Sequence, residues 1–226
     1  MKRVKILTGF LALSFFVSVY GMYDLITGRK IPLEIKANPN YRLSKEEKFM
    51  LEEGDIILRR GEGFVSSVIN NLNEADYQIS HCAILVKNDS VNWNVVHTVS
   101  SELSNVDGVQ TERLDRFTAE SVENTIVVLR YKADKQKRTE IADRARYYLT
   151  RQIGFDNSFD ISDTTEFYCT ELVYRVFLDV FGFDVFEERH QTNHPNYLTF
   201  DVFLDRKKFD VIINHQGENV TKYLKN

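Results

Sequence analysis

Cysteine is scarce in this 226-residue chain, which has only Cys82 and Cys169. Two cysteines build neither a disulfide-rich scaffold nor a four-cysteine zinc site. Three prolines and ten glycines are too few for a collagen-like or low-complexity chain. Positive charge is not in excess either, with 29 Lys+Arg against 33 Asp+Glu and a formal net charge of −4. A nucleic-acid binder normally carries a basic stripe, so no nucleic-acid partner is expected. A glycine-rich phosphate loop, HExxH and GxSxG are all missing, which leaves no motif-based case for nucleotide, zincin or α/β-hydrolase chemistry. Five histidines remain, few enough to weigh every Cys–His pairing in turn.

What is present is the material of one folded domain with an apolar preface. Hydrophobic residues make up 43% and charged residues 27%, which argues against wholesale disorder. The one long hydrophobic run is Ile6 to Tyr23, uncharged and with 13 of its 18 residues apolar, and it follows Lys2, Arg3 and Lys5. A basic start and an apolar run form an export signal or a membrane anchor. A buried core helix is the bland alternative, but the run has no polar face. Charges ahead of the run place the rest of the chain outside the cytoplasm. Val19 and Gly21 offer a poor cleavage site flanked by Tyr20 and Met22, so cleavage stays open. The expected organisation is signal peptide or anchor at 1–23, linker at 24–45 and folded domain at 46–226. The chain is expected to be exported, and held at a membrane if the segment is uncleaved. Residues 31–226 keep 24 basic and 32 acidic residues, a net of −8, so any attraction to anionic polymer or lipid must be local.

Periodicity places the elements. Ser44 with Glu47 three residues on reads as a capping box. Asp55 to Leu58 reads as a short strand, and Gly61 to Asn73 as a loop entering a helix. Ile79–Lys87 and Trp93–Val99 form a hairpin around turn residues 88–90. Thr125–Tyr131 and Phe209–Ile213 read as strands, and Lys135–Leu149 and Phe167–Val180 as helices. Strands and helices that do not alternate as βαβ indicate an α+β class.

Cys169 stands at the opening of a predicted helix, where amide N–H groups and the helix dipole favour a thiolate. Ser162 and Asp163 upstream supply plausible caps. A buried, inert thiol is the competing reading. A nucleophilic cysteine needs a base, and His81 and His97 lie in the two strands of the hairpin. A three-residue turn at 88–90 pairs them directly on one face, although a one-residue slip would separate them. Cys82, next to His81, then points to the other face, away from Cys169 if His81 faces it. A Cys82–Cys169 disulfide is the natural alternative for an exported protein. His190 and His194 have i, i+4 spacing, but Asn193, Pro195 and Asn196 place them in a loop. His215 lies in a polar tail. No metal and no organic cofactor is required.

Four segments in order carry a family resemblance: Gly54-Asp55-Ile56-Ile57-Leu58, Ser80-His81, Gly154-Phe155-Asp156 with Phe159, and Tyr168-Cys169-Thr170-Glu171-Leu172-Val173. Asn196-Tyr197-Leu198 with Phe203 and the strand at 209–213 completes the pattern. Together they resemble the YiiX-like permuted papain-type proteins, within the wider NlpC-type cysteine peptidase and amidase superfamily. The resemblance implies a circularly permuted papain-like α+β fold, an antiparallel sheet packed with helices. It implies Cys169 as nucleophile and His81 as base, with His97 in the third polar position. A second histidine there resembles the lecithin:retinol acyltransferase-like branch, which brings lipid acyl groups in beside peptides. The expected activity is a thiol-dependent hydrolase or acyltransferase acting on an amide or ester of a peptide or lipid-type substrate. The alternative is a non-catalytic envelope binding module with a structural Cys169. In the catalytic reading His81 takes the Cys169 proton or pairs with the thiolate, and His97 orients His81. The Cys169 N–H is one oxyanion donor. Glu171 is expected to be a surface or core polar residue, and Asp55 and Asp156 to organise turns.

Overall fold

The structure, a computed structural model, describes residues 36–72, 77–89, 92–187 and 198–224. The apolar N-terminal run and the His190/His194 pair lie outside the described residues. Helix α1 (Lys45–Met50) starts from the expected capping box: the Ser44 hydroxyl accepts from the Glu47 N–H, and the Glu47 carboxylate returns to the Ser44 N–H. Strand β1 (Ile56–Arg59) and helix α2 (Gly63–Leu72) follow. Next come the hairpin strands β2 (His81–Lys87) and β3 (Trp93–Val99), then β4 (Gly108–Arg113) and helix α3 (Leu114–Ala119). Strand β5 (Val127–Tyr131), helix α4 (Lys135–Arg151) and helix α5 (Cys169–Phe181) complete the middle of the chain. A short 3-10 turn (Phe200–Phe203), strand β6 (Phe209–Asn214) and helix α6 (Glu218–Thr221) end it. These elements lie in a compact unit, Glu34–Asn226.

The six strands form one antiparallel sheet in the order β4-β3-β2-β1-β5-β6. β1 lies inside it and is apolar on both faces, so Ile56, Ile57 and Leu58 are all fully buried. Alternation along the strands divides the interior in two. Ile56, Leu58, Cys82, Ile84, Val86, Val96, Val127 and Leu129 pack against α4 and α5, through Ile141, Ala145, Leu172, Val173, Val176 and Phe177. Ile57, Ala83, Leu85, Val95 and Val128 pack on the other face against Leu114 and Phe117 of α3, with Tyr41 and Leu43. Part of the expected linker is therefore packed onto the domain. Tyr41 O–H also meets His215 Nδ1, and His215 Nε2 meets the Glu47 carboxylate, so the residue read as part of a polar tail is half-buried and bonded.

Two differences from the sequence reading bear on the site. First, β4 and α3 occupy a stretch in which periodicity offered no element. β4 is a sheet edge of largely polar residues (GVQTER), with too few apolar positions for alternation to register. Second, the hairpin closes later than expected. Asn88 N–H donates to Asn92 O, and the Asp89 carboxylate holds the Asn92 N–H and side-chain amide. The ladder therefore pairs Ile84 with Val96 and Lys87 with Trp93, two residues away from the register that a turn at 88–90 requires. His81 and His97 are diagonal rather than directly opposite. Because the shift is even, they keep one face.

Candidate active site

Cys169 is the first residue of α5, and the chain leading to it is clamped from several sides. Phe167 N–H donates to Gly154 O at 2.9 Å, and the Thr98 hydroxyl donates to Phe167 O at 2.9 Å. Leu198 N–H donates to the Tyr168 hydroxyl at 2.8 Å, and the Thr170 hydroxyl donates to Leu198 O at 2.7 Å. Ser162 and Asp163 do not cap the helix. Asp163 instead accepts from Thr165, Asp160 from Ser162, and Asp156 from Ser158 and the Asp160 N–H, so these carboxylates and Ser162 fold the loop locally. Tyr168 is the N-cap and makes no side-chain cap bond.

The sulfur of Cys169 takes over part of that role. The Cys169 side chain packs against the cluster that holds Cys82, near that thiol and the backbone N–H groups of Cys82, Thr170 and Cys169 itself. Donation from the Cys82 thiol, and then from these amides, outweighs burial and holds the Cys169 thiol below the usual range. Burial pushes the Cys82 thiol well up, and the neighbouring Cys169 adds to the rise. Both cysteines are free.

A parting of strands makes this contact possible. β2 and β3 pair only from Ile84–Val96 to Lys87–Trp93. Beyond that point residues 81–83 pair with β1 alone, and 97–99 with β4 alone. The Cys82 amide lacks a ladder partner on β3, and it is among the groups that lower the Cys169 thiol. That amide nitrogen is bonded to the carbonyl carbon of His81, so the sulfur lies one peptide unit from the His81 backbone.

His81 itself leaves the strand on the face of Ala83 and Leu85, away from α5. Its Nε2 is 2.9 Å from His97 Nδ1. Both rings pack on Phe117, with centroids 5.8 and 5.7 Å from it. The Arg59 guanidinium sits 4.1 Å over the same phenyl ring, and Arg59 is the cross-strand partner of His81. The structure thus brings His81 to His97 and Cys82 to Cys169, and no hydrogen bond joins His81 to Cys169. The expectation that Cys82 would point away from Cys169 is corrected: strand alternation holds, but Cys82 is the residue that faces α5. Among the described residues, His81 Nδ1 has no hydrogen-bond partner.

Burial, followed by Arg59 and the other imidazole, lowers His81 well below the ordinary histidine range. His97 is pushed down to about 3 by burial, with Arg59 and Arg116 adding to it. Both rings are therefore neutral near neutral pH. A base with a depressed folded pKa stabilises the fold above its unfolded pKa, and that stability is lost as the pH falls toward the folded value. His97 alone should cost about 1.4 kcal/mol for each pH unit below about 6.5. Thermal melts should show a lower Tm at about pH 5.5 than at about pH 7.5, with the difference reduced in His97→Gln. Equal melting temperatures for the wild type at the two pH values would contradict this.

Glu171, which follows the nucleophile position closely, is fully buried, and burial raises it to about 8. Its partner Arg175 lies 3.1 Å away and also donates to Ile161 O and Asp163 O. Glu171 is a core polar residue tying α5 to the preceding loop. Sequence reasoning missed Thr98, Tyr168, Thr170 and Arg59, because each acts through a contact distant along the chain. Among the described residues, no group of three or more His, Cys, Asp or Glu side chains is placed to hold a metal ion.

A cysteine at a helix N-terminus against a split antiparallel sheet, with histidines upstream in the chain, reverses the papain order. Residues 50–200 match the family described as permuted papain-like amidase enzyme, YaeF/YiiX, C92 family. The chain belongs to that family. This membership makes the chain an amide-bond hydrolase of the cysteine type. The crystal structure of the metalloprotein yiiX from Escherichia coli O157:H7 is similar to this permuted papain-like chain, with TM-score 0.57 and 20% identity. The match covers 73% of this chain and 98% of that one, and at that identity it speaks for the fold. No curated protein matches.

Proposed function

We propose that Cys169 is the nucleophile of a thiol hydrolase, with His81 as its base and His97 as the residue that orients His81. The observation that carries this reading is the place of Cys169 as the first residue of α5, packed against the sheet cluster that includes Cys82, the neighbour of His81 in β2. In the tautomer this mechanism uses, His81 Nε2–H donates to His97 Nδ1, which leaves a lone pair on His81 Nδ1. This mechanism requires the His81 side chain to rotate from the Phe117 face into the gap between β2 and β3, toward the sulfur. The low basicity of His81 suits a proton acceptor in the attack better than a permanent ion pair. Attack on an amide carbonyl forms a tetrahedral oxyanion beside the N–H groups of Cys169 and Cys82, the second being the donor that spacing could not assign. His81 then returns its proton to the leaving amine, and water or another acyl acceptor resolves the thioester.

The substrate is a peptide amide of the cell envelope or a lipid-type acyl amide or ester. The chain acts outside the cytoplasm, held by residues 1–23 if they remain uncleaved. A reporter fused after Lys30 should cross the membrane, and one that stays soluble in the cytoplasm would refute the export proposal. The sulfur–sulfur contact favours one other reading, a binding module whose thiol is inert. Assay of the full chain on envelope peptides and on acyl amides and esters separates the two. Turnover that is lost in Cys169→Ala supports the enzyme, and a slowly alkylating thiol without turnover supports the module.

A further inference from the structure

Cys82 is the group that the hydrolase mechanism leaves over. Its side chain is fully buried on the α5 face of the sheet, in the cluster against which Cys169 packs. Cys169 is only half-buried, so a small oxidant reaches its sulfur before that of Cys82. A thiol favoured as thiolate, accessible, and next to a second, protected thiol is the arrangement of a sulfur that is oxidised and then resolved. Alanine or valine would fill this strand position and the backbone N–H serves the oxyanion, so beyond favouring the Cys169 thiolate the thiol at position 82 has no assigned role.

We infer that Cys82 is a resolving cysteine, which captures Cys169 after oxidation by a peroxide and holds it as a reversible Cys82–Cys169 disulfide. The steps balance. The Cys169 thiolate attacks one peroxide oxygen, an S–O bond forms, the O–O bond breaks, and the departing hydroxide takes a proton from solvent. The sulfur is oxidised by two electrons and the peroxide is reduced. Cys82 sulfur then attacks the sulfenic sulfur, the S–S bond forms and the S–O bond breaks. The Cys82 thiol proton leaves with the displaced hydroxide as water. In sum, two thiols and one hydrogen peroxide give one disulfide and two waters. Because Cys169 packs against the cluster that holds Cys82, the Cys82 proton is close to the leaving group. The bond must shorten the sulfur contact to about 2.05 Å, which requires both side chains to approach from hydrogen-bond separation. Capture at the sulfenic stage protects the nucleophile, because the next oxidation, to sulfinic acid, is not reversed by thiols.

The inference rests on the reading of Cys169 as a reactive thiol, but its readout is sulfur chemistry rather than turnover. The full chain is treated with hydrogen peroxide, the remaining thiols are blocked with iodoacetamide, and the peptides are analysed by mass spectrometry before and after dithiothreitol. The wild type should lose both thiols together and yield a Cys82–Cys169 cross-linked peptide. Dithiothreitol should restore both thiols in full. Cys82→Ala and the near-isosteric Cys82→Ser, each with a cooperative melt to show folding, should instead accumulate sulfinic acid at Cys169 that dithiothreitol does not restore. Recovery of Cys82 as a free, alkylated thiol after Cys169 has been oxidised would overturn the inference. So would equal recovery of Cys169 in the wild type and the folded Cys82 variants. Slow alkylation of unoxidised Cys169 would instead count against the hydrolase reading itself.

Discussion

Cys169→Ser should lower turnover on the order of 10⁴-fold or more, and His81→Ala by about 10²–10⁴-fold, with both proteins folded. The two losses have different causes, and alkylation tells them apart. Cys169→Ser removes the thiolate, because a hydroxyl in the same place does not ionise near neutral pH. His81→Ala removes the proton acceptor and leaves the sulfur with its donors, the Cys82 thiol and the amides of Cys82, Thr170 and Cys169. Iodoacetamide should therefore modify Cys169 in His81→Ala nearly as fast as in the wild type at mildly acidic pH. A preformed ion pair would behave otherwise, and slower alkylation in His81→Ala would restore it. Cys82→Ala should slow alkylation at acidic pH, since the first donor to the thiolate is lost. His97→Ala should give an intermediate loss of turnover through a misoriented His81.

Gly108→Ala should be the most damaging single methyl group in the fold. Gly108 opens β4 at φ +84, and an added Cβ would lie 1.9 Å from Ile153 O and 2.7 Å from the Cα of Gly154. Backbone cannot step aside cheaply there, because Val109 N–H donates to Ile153 O and Gly154 O receives the Phe167 N–H that leads to Cys169. Left-handed strain and the clash together should cost about 4 kcal/mol or more, roughly an 8–16 °C fall in Tm for a domain of this size. Gly63→Ala is the matched control. Its φ is +82 and nothing lies within 4 Å of the new methyl, so it should show strain alone, about 1 kcal/mol. Similar melting temperatures for the two variants would mean that the β4 contact with residues 153–154 is not tight.

The legible part of this protein is the part written locally. The Ser44/Glu47 box, the buried run of β1, the hairpin strands and the amphipathic α5 with Cys169 at its head each follow from residues a few positions apart. The shared face of His81 and His97 was legible too, because parity survives an even slip in register. The register itself was not, since it turns on one Asp89 carboxylate holding Asn92. Nor was the approach of Cys82 to Cys169. Strand alternation says that His81 and Cys82 face opposite ways but not which of them meets a helix 87 residues downstream. That is decided by which face of the sheet α4 and α5 cover, the face of Cys82, Ile84 and Val86. The polar edge strand β4 was silent because a strand with so few apolar residues leaves little trace in hydropathy.

If Cys169 is the nucleophile, acyl groups pass through its sulfur. The most direct measurement is to mix the full chain with an activated aryl acetate, quench in acid during turnover, and map the acetyl group by peptide mass spectrometry. An acetyl thioester should appear on the peptide carrying Cys169, and Cys169→Ala should lose both it and the steady release of aryl alcohol. Undiminished turnover by Cys169→Ala, or an acetyl group mapped to any other residue of the active wild type, would contradict this.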